Sequence, residues 1–193
     1  MGLVQKFRER VTDSFLSELS LPADLAVLVI DMQRDYFTGE RPRNVEHMIQ
    51  AQQEVLHLCS DSHIPVAVVE KERYGRTIPE LKEIIDDLST THTFIKHGRD
   101  SFGNPFLGRW LAERRTKKLF LMGVYAGGCV YKTAVSALTH QPCFSIATSM
   151  DVITDRLLPD INILFEDELH TFYRTYGVFK PTYREALRFF SSL

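Results

Sequence analysis

The sequence predicts a doubly wound α/β fold, a three-layer α/β/α sandwich around a mostly parallel sheet of about six strands. Three observations predict it. Short β-branched and aliphatic runs alternate along the chain with longer segments of helical period. The runs are apolar at consecutive rather than alternate positions, which suits strands covered on both faces. Strands separated by helices must connect by crossovers, and crossovers make neighbouring strands parallel.

Val4, Phe7, Val11, Phe15, Leu16 and Leu19 fall at helical spacing, and Leu21-Pro22 stops that helix, so residues 1–22 form an N-terminal helical extension. Ala26-Val27-Leu28-Val29-Ile30 is the first strand and ends on Asp31. A helix follows from Val45 to Asp61, then the strand Ile64 to Val69, then a short helix from Pro79 to Leu88. Thr93-Phe94-Ile95 is the third strand and ends on Lys96. A helix from Pro105 to Arg114 leads to Lys118-Leu119-Phe120-Leu121-Met122, the clearest buried strand, which Gly123 terminates. The next helix starts at Cys129 and runs to Thr139. Cys143 opens the fifth strand, a helix occupies Asn162 to Thr175, Val178-Phe179 is the sixth strand, and a terminal helix begins at Thr182. With no internal repeat, low-complexity tract or long linker, residues 1–193 read as a single domain.

Composition narrows the function. The 23 basic and 25 acidic side chains give a net charge of -2, without the basic excess that phosphate neutralisation requires, so neither nucleic acid nor an anionic membrane is an expected partner. No stretch is apolar enough for a secretory signal or a membrane span. Three cysteines, an odd number at wide spacing, make neither a disulfide framework nor a ligand cluster, which points to a reducing, cytoplasmic setting. Cys59 and Cys143 read as packing residues.

In a doubly wound sheet the ligand crevice lies beyond the carboxyl ends of the strands. Asp31, Lys96 and the turn from Gly123 to Cys129 all lie at such ends. The two glycines before Cys129 let backbone approach a ligand, the helix start offers unpaired amides, and a neighbouring cation favours a thiolate. Asp31 can accept the thiol proton and return it to a leaving group, with Lys96 holding the aspartate. Each residue also has a structural alternative. Asp31 suits a turn or cap, Lys96 a solvent-facing strand end, and Cys129 the core of a buried helix. Three suitable residues at three strand ends weigh against those alternatives together.

The stretches Val27-Leu28-Val29-Ile30-Asp31-Met32-Gln33-Arg34-Asp35-Tyr36-Phe37, Lys96-His97-Gly98-Arg99-Asp100-Ser101-Phe102 and Gly123-Val124-Tyr125-Ala126-Gly127-Gly128-Cys129-Val130-Tyr131-Lys132-Thr133-Ala134 resemble, in order, the isochorismatase-like cysteine hydrolase superfamily, which includes the nicotinamidase-related amidases. The resemblance spans Leu25 to Phe190. It implies a catalytic triad of Asp31, Lys96 and Cys129, a cis peptide between Val124 and Tyr125, and an oxyanion hole made of the Tyr125 and Cys129 backbone N–H groups. The implied reaction is cleavage of a C–N bond, amide or ureido, in a small molecule through a thioester on Cys129. Vinyl-ether hydrolysis with Asp31 as general acid is the alternative, and a non-catalytic binding module on the same fold is a second.

Nicotinamidases of that superfamily carry an Asp-x-His pair after the second strand. Here the region reads Val69-Glu70-Lys71-Glu72-Arg73-Tyr74-Gly75, and two carboxylates without histidine make a poor zinc site. No metal and no cofactor is expected. Phe37, Tyr74, Phe102, Trp110 and Tyr131 are candidate pocket walls, with His97 or Arg99 as polar contacts, and Tyr36-Phe37 and His97 are favoured because they flank triad residues. A homo-oligomer is expected from the resemblance alone.

Overall fold

The computed structural model describes residues 21–38, 43–140, 143–155 and 164–192. The N-terminal helix expected from the sequence lies outside them, apart from its end at Leu21-Pro22. Strands β1 (Leu25–Ile30), β2 (Val66–Lys71), β3 (Thr91–Lys96), β4 (Lys118–Val124), β5 (Ser145–Ser149), β6 (Ile153–Thr154) and β7 (Val178–Lys180) alternate with helices α1 (Arg43–Asp61), α2 (Pro79–Asp86), α3 (Pro105–Glu113), α4 (Tyr131–Thr139), α5 (Leu164–Tyr176) and α6 (Tyr183–Ser191).

The strands form one parallel sheet in the order β3-β2-β1-β4-β5-β7, with β6 pairing beside β4. Among the described residues the sheet has seven strands rather than about six. The additional one, β6, has two residues, too short to leave a pattern in the sequence. All of β1 is buried, and so is every residue of β4 after Lys118, because helices cover the sheet on both sides. Helices α1, α2 and α6 share one layer, where Tyr183 of α6 donates to Glu54 of α1. Helices α3, α4 and α5 share the other, where Gly108 packs on His140 and Tyr131 on Phe172. Strand β3 is an edge strand, with only Phe94 and Lys96 buried.

The strand order reverses between β1 and β4. The chain runs outward from β1 to β2 and β3, then returns to the other side of β1 for β4. Loops leaving such neighbours diverge and open a crevice at the carboxyl ends of the strands. Asp31 leaves β1 at this point and the glycine turn leaves β4.

Gly123 makes the close approach of these strands possible. It pairs with Ile30 at φ +132°, and a Cβ there would stand 2.0 Å from the Ile30 carbonyl oxygen. Backbone cannot yield as a flexible side chain would. Gly123→Ala is expected to cost at least about 3 kcal/mol of stability, combining a disfavoured φ with overpacking against main chain. A denaturation midpoint equal to that of the wild type would refute this.

Candidate active site

Asp31 follows β1 with a φ of +54°, a left-handed conformation that aspartate tolerates better than most residues, and its N–H donates to the Val69 carbonyl. The backbone thereby leaves the sheet while the carboxylate stays buried. Lys96 ends β3, two strand spacings or about 10 Å from β1. Its side chain crosses the end of β2, and its Nζ lies 3.0 Å from Asp31 Oδ2, with both side chains 0% exposed. Lys96 Nζ also donates to the Arg99 carbonyl at 3.0 Å. The loop bearing that carbonyl is tied to α4 by Ser136 Oγ donating to Asp100 and by the Ser101–Thr133 hydroxyl pair. The ammonium is therefore fixed from two sides.

Cys129 lies within a π-helical turn, Ala126–Val130, that runs directly into α4. The peptide between Val124 and Tyr125 is cis. The N–H groups of Gly128 and Val130 donate to the Tyr125 carbonyl, and that of Gly127 donates to Asp155 Oδ2 at 2.7 Å. The Cys129 thiol faces Asp31 and Lys96.

Electrostatics correct one sequence expectation. Burial pushes the Cys129 thiol up to about 11; the Lys96 charge offsets this only in part, and the Asp31 carboxylate adds to it. Burial thus favours the thiol over the thiolate that a helix start and a cation suggested. Burial also raises Asp31 above the ordinary carboxylate range, with the Lys96 ammonium opposing it. The carboxylate interacts with both the Lys96 ammonium and the Cys129 thiol. A carboxylate of raised basicity beside a thiol is a suitable proton acceptor. Alkylation of Cys129 by iodoacetamide should thus be slow near neutrality and rise about tenfold per pH unit towards its titration. Peptide mass spectrometry separates it from the exposed Cys143; rapid labelling of Cys129, flat from about pH 6 to 8, would contradict a neutral resting thiol.

A model of the isochorismatase domain matches residues 25–141. The chain belongs to the isochorismatase family. It is a hydrolase. No curated protein matches the sequence. Among solved structures, N-carbamoylsarcosine amidase from Thermoplasma acidophilum superposes with a TM-score of 0.67 at 19% identity, covering 82% of this chain and 96% of the amidase. The nicotinamidase SaPncA from Staphylococcus aureus superposes at 0.66 and 19%, covering 80% and 96%. The octameric YcaC gene product of Escherichia coli, a hydrolase of unknown specificity, does so at 0.66 and 18%, covering 86% and 78%. At these identities the likeness is one of fold.

The residues proposed as substrate contacts in this isochorismatase-family hydrolase are scattered. Phe37 is buried in the core. His97 turns outward, its Nδ1 3.0 Å from Glu72 Oε2 and its side chain 79% exposed. Phe102 stacks on Phe144 and packs against His140 at the far end of α4, about 16 Å of helix from Cys129. Tyr131 packs edge-on against Phe172, and Trp110 lies between Phe94 and Arg114. Two of the expected aromatics do meet beside the triad residues: Tyr36 stacks on Tyr74 at 4.7 Å and stands edge-on to Tyr125 at 5.4 Å. Burial raises Tyr36, with the Asp31 charge adding to it.

Two buried side chains hold the loop that carries Tyr74. Gln33 donates to the Lys71 and Gly75 carbonyls and accepts from the Lys71 N–H. Glu70 accepts from the Thr77 N–H and hydroxyl and from Arg76. With Glu70 engaged this way and Glu72 paired to His97, these carboxylates do not fit a metal. Cys143 corrects another expectation: β5 begins at Ser145 and Cys143 is exposed, whereas Cys59 is buried.

Proposed function

We propose that this isochorismatase-family hydrolase cleaves a C–N bond, amide or ureido, of a small molecule through a thioester on Cys129. The observation that carries the reading is the fully buried Lys96–Asp31 pair at 3.0 Å beside the thiol. As Sγ attacks the substrate carbonyl carbon, Asp31 takes the thiol proton, so a neutral resting thiol is no obstacle. The Tyr125 and Cys129 N–H groups receive the oxyanion. Collapse of the intermediate expels the amine, which takes the proton from Asp31. Water then attacks the thioester with Asp31 again as base, releasing the acid and restoring the thiol. Lys96 holds the carboxylate and keeps it ionised against its burial.

The amidase fold relatives support C–N chemistry, and the octameric relative supports a homo-oligomer. Vinyl-ether hydrolysis remains a second reading because the raised Asp31 also suits a general acid. A screen of primary amides, ureido compounds and isochorismate, read by ammonia and pyruvate release, separates the two. Under the proposed chemistry ammonia appears and rapid acid quenching traps an acyl mass on the Cys129 peptide. Pyruvate release with no adduct would replace this reading with the second.

A further inference from the structure

The register of the two-residue strand β6 brings a further carboxylate to the site. Ile153 and Thr154 pair with Gly123 and Val124, so the next residue, Asp155, lies level with Tyr125 beside the turn that carries Cys129. Asp155 Oδ2 accepts the Gly127 N–H at 2.7 Å. Its other oxygen is buried with no hydrogen-bond partner among the described residues.

The first N–H groups of a helical segment have no partner within it. In this turn Tyr125 satisfies two, those of Gly128 and Val130, and Asp155 satisfies the Gly127 N–H. The anchored N–H belongs to the Ala126–Gly127 peptide, the one peptide of this stretch held from outside the turn, and without Asp155 it can rotate about the permissive backbone of Gly127. Such a rotation shifts the turn that leads into the Cys129 amide. Displacements near 1 Å at a reacting centre can cost about a hundredfold in rate. Burial also raises Asp155 above the ordinary carboxylate range, which lessens its charge beside a developing oxyanion.

We propose that Asp155 is a positioning residue that, by anchoring the Gly127 N–H, fixes the turn so that the Tyr125 and Cys129 amides remain directed at the substrate oxyanion. The inference rests on the cysteine-hydrolase reading, and its test needs no natural substrate. Acrylamide and iodoacetamide both alkylate Cys129, but only acrylamide develops an oxyanion. As its β-carbon bonds to Sγ, the C=C electron pair moves onto the carbonyl oxygen; the thiol proton passes to Asp31 and returns to the α-carbon. Iodoacetamide forms the S–C bond with loss of iodide, and the thiol proton goes to buffer.

At about pH 9, where enough thiolate forms to follow both reagents, Asp155→Ala should slow acrylamide addition at Cys129 at least tenfold and iodoacetamide labelling less than about threefold. Asp155→Asn keeps an acceptor for the Gly127 N–H and should restore acrylamide addition to within about threefold of wild type. The proposal is overturned if acrylamide addition is unchanged in the alanine variant, if both reagents slow in parallel, or if asparagine fails to rescue. An enzyme that forms no acyl adduct yet shows the selective acrylamide effect keeps this inference and loses the hydrolytic one. The reverse pattern does the opposite.

Discussion

Cys129→Ala is expected to lower turnover of the C–N substrate by at least about 10⁵-fold and to abolish the acyl adduct, because the nucleophile carries both half-reactions. Asp31→Asn should be nearly as damaging. Asparagine is close to isosteric but cannot take a proton from a thiol that burial holds near 11. The pair of variants separates the two chemistries. Under vinyl-ether hydrolysis, Asp31→Asn abolishes activity while Cys129→Ala retains it, and that result would sink the covalent mechanism. The pH profile gives an independent check. Under the proposed mechanism the productive form has Asp31 ionised and Cys129 protonated, so kcat/KM should rise with pH as Asp31 loses its proton. Burial places this limb above the ordinary carboxylate range. An acid limb at or below that range would show that another group provides the base.

Slow alkylation near neutrality would therefore not mark the protein as a non-catalytic relative. A thiol beside its own base needs no standing negative charge, since proton transfer accompanies attack. The sequence could not reveal this state, because it displays the cation and the turn but not the depth of burial that outweighs them. Asp31, Lys96 and the Gly123–Cys129 turn were legible as strand ends because the ligand crevice of a doubly wound sheet follows from topology. Substrate contacts inferred from adjacency were less legible. His97 and Phe102 follow Lys96 closely, yet the chain bends after β3 and sends one to Glu72 at the surface and the other to Phe144. The contact of Tyr125 with Tyr36 joins two loops distant in sequence and so left no local signal. Asp155 was missed, although the run Val152-Ile153-Thr154-Asp155 ends on a carboxylate as Val29-Ile30-Asp31 does; the strand is simply too short to stand out.

Lys96→Met should lower both activity and stability, and the pH dependence of the stability loss identifies its cause. Methionine fills much of the lysine's volume, so packing is largely retained, but Asp31 is left as a buried carboxylate without its counter-charge. Removing one partner of a buried pair typically costs about 3–5 kcal/mol. The carboxyl limits that cost by holding its proton to a higher pH than in the wild type, because Lys96 opposes the effect of burial. A carboxyl whose folded-state pKa exceeds its unfolded value favours the fold below the unfolded value, and that advantage is lost as pH rises through the folded one. The variant should therefore approach wild-type stability near about pH 4 and fall further behind as pH increases, while the acid limb of kcat/KM moves to higher pH. Adding Asp31→Asn removes the buried charge and should recover most of the lost stability without recovering activity. A stability deficit in Lys96→Met that is independent of pH, or that Asp31→Asn deepens, would show that Lys96 acts through packing rather than through Asp31.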